Sequence, residues 1–348
     1  MNRSRLDQIK RQDYVGLFLF TVGLTLFVLG VSWGGSVYPW KSAKVIATMV
    51  VGGCTLIAFA LYENYLAKNV DQLLPTHLFS APGYISMVIL SAVGTVTAYS
   101  GQVFWPQEVH AIIKGSPERL ALLSSVIGST CLLGFFIGGF IFRYCTWHRT
   151  ILIGSAGILA AFCGAMISVQ PGDDKKGPAL IAFVMLPIGT IEVGSRALLP
   201  LTCPDEDIGA ALGALGSIGY ACASVGIAVY SAVLTNKVKS VALPEIAAAA
   251  VKAGLPESSI PELLAGFPSN LASVPGITKQ IMAAVAVAGA QGYADAFRYV
   301  WYCALAFALC AFAASFFTIN YEKYLTDNVA RKLQYGTPPR VDPEATEK

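Results

Sequence analysis

Eight stretches of this chain are each long and apolar enough to cross a lipid bilayer, and that count constrains the fold more than any other feature. They are Tyr14–Trp33, Lys44–Tyr62, Tyr84–Trp105, Leu120–Phe142, Thr150–Val169, Ala179–Pro200, Ile208–Leu234 and Phe297–Ile319. Covering ~30 Å of hydrocarbon takes about 20 residues as helix. Inside lipid the backbone must satisfy its own N–H and C=O groups, which the helix does within one segment. The chain therefore reads as an all-α membrane protein with eight transmembrane helices. Charges, prolines or a polar turn bound each stretch. The five tryptophans, Trp33, Trp40, Trp105, Trp147 and Trp301, fall at or near those boundaries, as an aromatic belt would.

The soluble alternative fails on surface chemistry. Soluble domains carry about 25% charged residues, whereas this chain has 13% against 55% hydrophobic, with mean hydropathy +0.60. A net charge of +3 spread along the chain gives no basic footprint for nucleic acid. The eight cysteines contain no C-x-x-C pair, and most lie in apolar stretches, so they read as small hydrophobes rather than metal ligands or a redox motif. No cofactor is implied.

An even number of spans puts both termini on one side. The basic residues of the segment 1–13 and of the tail 320–348 place that side in the cytoplasm. The first stretch follows a polar segment with no cleavage site of small residues, so it reads as a retained helix. Residues 235–296 hold five prolines among alanine-rich patches and read as a long extracytoplasmic loop of short helices lying on the outer face or interface. Its piece Ile281–Ala290 is too short to span.

Small residues mark where helices meet in lipid, because close backbone approach replaces hydrophobic exclusion there. Gly16, Gly23 and Gly30 recur every seven residues on the first span, and Gly134/Gly138 and Gly209/Gly213 form two G-x-x-x-G pairs. Tight packing accounts for them all; a helix that slides during a transport cycle would need the same surface.

An ionisable side chain inside hydrocarbon is costly and marks a site by default. The sixth span carries Glu192 and Arg196, whose i,i+4 spacing sets them on one face, within reach of each other. A merely tolerated ion pair competes with a carboxylate that faces a watery cavity and binds a proton or a cationic substrate. Tyr99, Ser100 and Gln102 near the end of the third span, with Tyr220 and Tyr230 on the seventh, are further pathway candidates. Glu108 and His110 follow Trp105-Pro106 and suggest an outer gate or only a polar rim. Glu63 and Arg143 sit at inner boundaries where snorkelling suffices, and Asp295 and Arg298 are placed to pair. No phosphate-cradling G-x-x-x-x-G-K-[ST] loop, G-x-S-x-G elbow or H-x-x-x-H pair is present, so no catalytic residues are assigned.

The block DYVGLFLFTVGLTLFVLGVSWGGSVYPWKSAKVI (Asp13–Ile46) resembles the seventh span and following loop of fungal major facilitator proteins with fourteen spans. The nearest group is the trichothecene efflux pumps, related to siderophore transporters and drug:proton antiporters. Pro204-Asp205-Glu206-Asp207-Ile208-Gly209, Gly213 and Tyr230…Asn236-Lys237 are similar to that family's thirteenth span and its approach. Gly219 departs from the pattern, where many relatives are expected to carry Arg.

The resemblance covers essentially the whole chain. It implies two linking helices over 14–83, then a C-terminal six-helix half over 84–319, with the N-terminal half missing. It further implies plasma-membrane transport of a small organic molecule of toxin, drug or siderophore type, exchanged for protons. Half a transporter does not enclose a substrate alone. A truncated chain, a partner half or a homo-oligomer then follows, as does the alternative of a non-transporting membrane protein that acts only through assembly.

Overall fold

The computed structural model describes residues 13–35, 37–65, 76–80, 83–113, 115–204, 207–266 and 274–321. The expected cytoplasmic ends lie outside these residues apart from Asp13 and 320–321, as do Asp205 and Glu206. Among the described residues eight helices are long and apolar enough to cross a membrane, so the protein is an all-α integral membrane protein.

α1 (Tyr14–Trp33) opens on Asp13, whose Oδ1 accepts the Gly16 N–H at 2.8 Å. It ends at Gly34, and Gly35 takes φ +73° to turn the chain into α2 (Ala43–Tyr65). The hairpin depends on glycine. A Cβ added to Gly23 would stand 3.0 Å from the Leu56 backbone nitrogen, and one added to Gly52 would stand 2.9 Å from Phe27 Cα. Outward faces remain apolar: Phe18, Val50 and Ile57 are all more than half exposed in the isolated chain, as lipid-facing residues should be.

α3 (Tyr84–Ile112), α4 (Pro117–Tyr144), α5 (His148–Met166), α6 (Lys176–Leu198), α7 (Ile208–Lys237) and α10 (Lys279–Ser315) form a six-helix bundle. α3 is its centre and packs against α4, α6, α7 and α10, while α6 packs against α3, α4 and α5. α1 joins the linking hairpin to the bundle through α7. Gly138 of α4 lies against α6, where an added Cβ would stand 2.9 Å from Thr190 Cα, and Gly134 lies against Leu186 in the same way. Gly209 and Gly213 differ: among the described residues nothing lies within 4 Å of the Cβ either would carry, so that face of α7 is turned away from them.

Three readings from sequence change. α3 does not stop at Trp105 but continues through Pro106 to Ile112. Trp105 and Trp301 are not belt residues, because both are buried and spend their indole N–H inside the bundle, Trp105 on the Leu123 carbonyl at 2.9 Å. The loop 235–296 is largely a continuation of the spans. α7 runs through a π turn (Val238–Ala242) into α8 (Leu243–Lys252). Pro244 has no N–H for the Ser240 carbonyl four residues back, which explains why the helix widens there.

Ile281–Ala290 is the first part of the 37-residue α10, about 55 Å long at 1.5 Å per residue. That exceeds the hydrocarbon thickness, so α10 projects beyond it. α8, the short α9 (Ile260–Gly266) and the start of α10 enclose a core of their own, with Ile246, Leu255, Leu263, Ile281 and Val285 buried together. Their apolar faces meet one another.

Candidate functional site

The sixth span's charged pair forms because α-helical geometry stacks residues four apart. Arg196 Nη1 pairs with Glu192 Oε2, and the same nitrogen donates to the Glu192 carbonyl at 3.3 Å. The pair is asymmetric. The Glu192 side chain is 5% exposed, while Arg196 is 43% exposed. The carboxylate points inward, against α3, and the guanidinium looks out.

α3 contributes the remaining partners. The Thr95 hydroxyl stands 2.8 Å from Glu192 Oε1 and 2.7 Å from the Ser91 carbonyl, so its single proton has two acceptors. Ser91 Oγ donates to Oε2 at 3.3 Å. These groups are brought close by two glycines. A Cβ on Gly94 would stand 3.0 Å from Glu192 Oε1, and one on Gly219 would stand 3.1 Å from Thr95 Oγ1. Position 219, where the resemblance leads one to expect Arg, thus abuts the same cluster, and here Arg196 supplies its cation.

This cluster forms the floor of an open concavity of about 350 Å³ between α3, α4, α6 and α7. Thr95, Ala98, Tyr99, Gln102, Cys131, Phe135, Ile188 and Tyr220 line it beside the ion pair. Small-molecule sites commonly span 300–1,000 Å³, mostly apolar with a few fixed polar groups. Tyr99 and Tyr220 meet edge to face at 5.7 Å between centroids, each presenting ring surface and a hydroxyl.

Five of the seven pathway candidates read from sequence, Glu192, Arg196, Tyr99, Gln102 and Tyr220, therefore share one surface. Ser100, which is buried in the bundle, and Tyr230 do not. Tyr230 is 2% exposed and packs in the bundle interior near Phe104 and Phe307. Glu108 is buried as well, with the Trp301 indole N–H donating to its Oε2 at 3.0 Å, so it is not part of a solvent-facing polar rim. Glu63 is buried and does not snorkel. Asp295 and Arg298 do pair, at 2.8 Å. Thr95 and Ser91 escaped sequence reading, although their i,i+4 polar spacing on an apolar span was the available signal. Among the described residues no group of three His, Cys, Asp or Glu side chains is placed to hold a metal ion.

Comparison with known proteins gives a consistent result. A family profile described as "Fungal trichothecene efflux pump (TRI12)" matches residues 2–338. Trichothecene efflux pump TRI12 of Trichoderma arundinaceum is 30% identical over 97% of this chain and 58% of its own length. The protein of the same name from Fusarium sporotrichioides is 29% identical over 95% of this chain and 56% of its own length. The MFS-type transporter prx5 of Penicillium rubens is 28% identical over 88% of this chain and 57% of its own length. The chain thus spans between 56% and 58% of these curated relatives.

Proposed function

This chain belongs to the fungal trichothecene efflux pump family, and from that membership we propose that it serves the export of a small organic molecule in exchange for protons. The substrate class is that of toxins and related secondary metabolites. The work is transport and involves no catalysis. The membrane is the plasma membrane, with both termini cytoplasmic.

One observation carries the reading: a buried carboxylate whose cation stands half in the open at the floor of a ligand-sized concavity. Glu192 is held by Arg196, Thr95 and Ser91 together. A proton arriving on Glu192 removes the charge that holds Arg196, leaving a guanidinium free to turn into the concavity. A cationic substrate, or an uncharged one that donates a hydroxyl to the ionised carboxylate, competes for the same oxygens. Tyr99 and Tyr220 offer ring faces to an apolar ligand, while Gln102 offers an amide for orientation. Proton and substrate therefore exclude one another at one site, which is the requirement for exchange.

The concavity needs a lid. In transporters built from two six-helix halves, the site lies between them and alternates access as they rock. We place a second half over this surface, supplied by a longer polypeptide, a partner or a second copy of the chain. The unoccupied glycine face of α7, with Gly209 and Gly213, suits such close approach.

The test is efflux of a radiolabelled trichothecene from vesicles containing the chain together with the N-terminal half of a TRI12 relative. An inward proton gradient is expected to accelerate efflux, and Glu192→Gln is expected to abolish the acceleration at unchanged protein level. Efflux by Glu192→Gln that still follows the gradient would overturn the assignment.

A further inference from the structure

The Thr95 hydroxyl sits where Glu192 meets the backbone of α3, and it has one proton for two acceptors. Ser91 and Thr95 stand four residues apart on α3, so the Thr95 side chain folds back on its own helix. Its Oγ1 lies 2.7 Å from the Ser91 carbonyl and 2.8 Å from Glu192 Oε1. Thr95 is buried at 5% exposure, which keeps bulk water from serving as a third partner. On the α7 side it faces Gly219, which has no side chain to compete; a Cβ there would stand 3.1 Å from Oγ1.

The two acceptors are not equal. The Ser91 carbonyl already accepts the Thr95 backbone N–H in the helical ladder, so it can lose the hydroxyl without being orphaned. An ionised carboxylate is the stronger acceptor, because a hydrogen bond to a charge is about twice as strong as a neutral one. Once Glu192 takes up a proton, that advantage is gone. Arg196 holds Oε2, which leaves Oε1 to receive the proton. The other titratable or charged groups facing the carboxyl are Arg196 on α6, Cys131 on α4, Tyr99 on α3 and Tyr220 on α7. Among the described residues α5 and α10 add none to that wall.

Resting on the reading that Glu192 takes up a proton, we propose that Thr95 is the positioning residue that holds Glu192 against α3 in both protonation states by reversing its hydrogen bond. With Glu192 ionised, the Thr95 O–H donates to Oε1. With Glu192 protonated on Oε1, the acid O–H donates to Thr95 Oγ1, and the Thr95 O–H turns to the Ser91 carbonyl. Each O–H keeps an acceptor in both states, and the change needs only rotation of a hydroxyl. Protonation therefore releases Arg196 alone, while the carboxyl stays docked at the floor of the concavity for the guanidinium to rejoin.

Infrared titration of the purified chain in lipid nanodiscs tests this without transport. Subtracting the matching Glu192→Gln spectrum at each pH isolates the protonated-carboxyl band of Glu192 from those of other acids. Thr95→Val keeps the side-chain shape and removes the donor, so the ionised form loses more than the acid does. The pH at which the Glu192 band is half developed is expected to rise by roughly half a unit to one unit, about three- to tenfold in the protonation constant. Thr95→Ser, which restores the hydroxyl, is expected to return the midpoint to that of the unmodified protein. Should Thr95→Val fail to fold, Thr95→Ala, smaller and also without a hydroxyl, carries the same expectation. A midpoint unmoved in the folded hydroxyl-free variant, or one that Thr95→Ser does not restore, would overturn the positioning role and leave proton exchange at Glu192 standing. Absence of the Glu192 band at every pH would overturn both.

Discussion

The asymmetry of the Glu192–Arg196 pair makes a quantitative prediction about stability. Breaking a fully buried ion pair by removing one partner costs about 3–5 kcal/mol, because the other charge stays buried alone. Here the two partners are not equivalent, at 5% and 43% side-chain exposure. Arg196→Gln strands the carboxylate between α3 and α6. The Arg196 guanidinium is only partly buried, so the expected cost is discounted to roughly 2–3 kcal/mol. Glu192→Gln leaves Arg196 free to extend into the concavity, and an amide keeps an acceptor for Thr95. Its cost is expected below about 1 kcal/mol. The double variant should then be more stable than Arg196→Gln alone, since no charge remains to be buried. Reversible denaturant unfolding in mixed micelles, followed by circular dichroism, gives all three values as a double-mutant cycle. Equal costs for the two single variants, or a double variant less stable than Arg196→Gln, would refute the one-sided burial on which the site rests.

Three further outcomes follow from the packing and the concavity. Gly138→Leu forces a side chain into the Thr190 backbone and should cost about 1–3 kcal/mol in the same unfolding assay. Gly213→Ala meets open space in this chain and should be neutral or stabilising by up to about 1 kcal/mol; a second half docked on α7 would reverse that sign. Tyr99→Cys and Gln102→Cys should add reactivity toward a membrane-impermeant maleimide above the native background, whereas Tyr230→Cys should add none until the protein is unfolded.

The eight spans were legible because apolar length is a local property, and lipid demands it of every helix. Their ends were less so. Trp105-Pro106 looked like a boundary, yet the helix runs through the proline, and the carbonyl it frees belongs to Gln102, which lines the open concavity. Ile281–Ala290 looked too short to span because hydropathy dips through Gln291 and Asp295, although the helix continues. The Glu192–Arg196 pairing was readable from i,i+4 spacing alone. Its anchors were not, because Thr95 and Ser91 reach Glu192 only once α3 and α6 are packed face to face, about a hundred residues apart in sequence. The same dependence on packing separated Tyr230 from Tyr220, ten residues away on one helix, and put Glu108 in the core where a polar rim was one of the two readings.

The central claim is that substrate and proton compete at Glu192. The most direct measurement is the pH change on adding trichothecene to the assembled, weakly buffered protein, with chain and second half together. At a pH low enough for Glu192 to carry a proton, proton release on binding that disappears in Glu192→Gln is the predicted result. Binding with no proton release, or release that persists undiminished in Glu192→Gln, would contradict it.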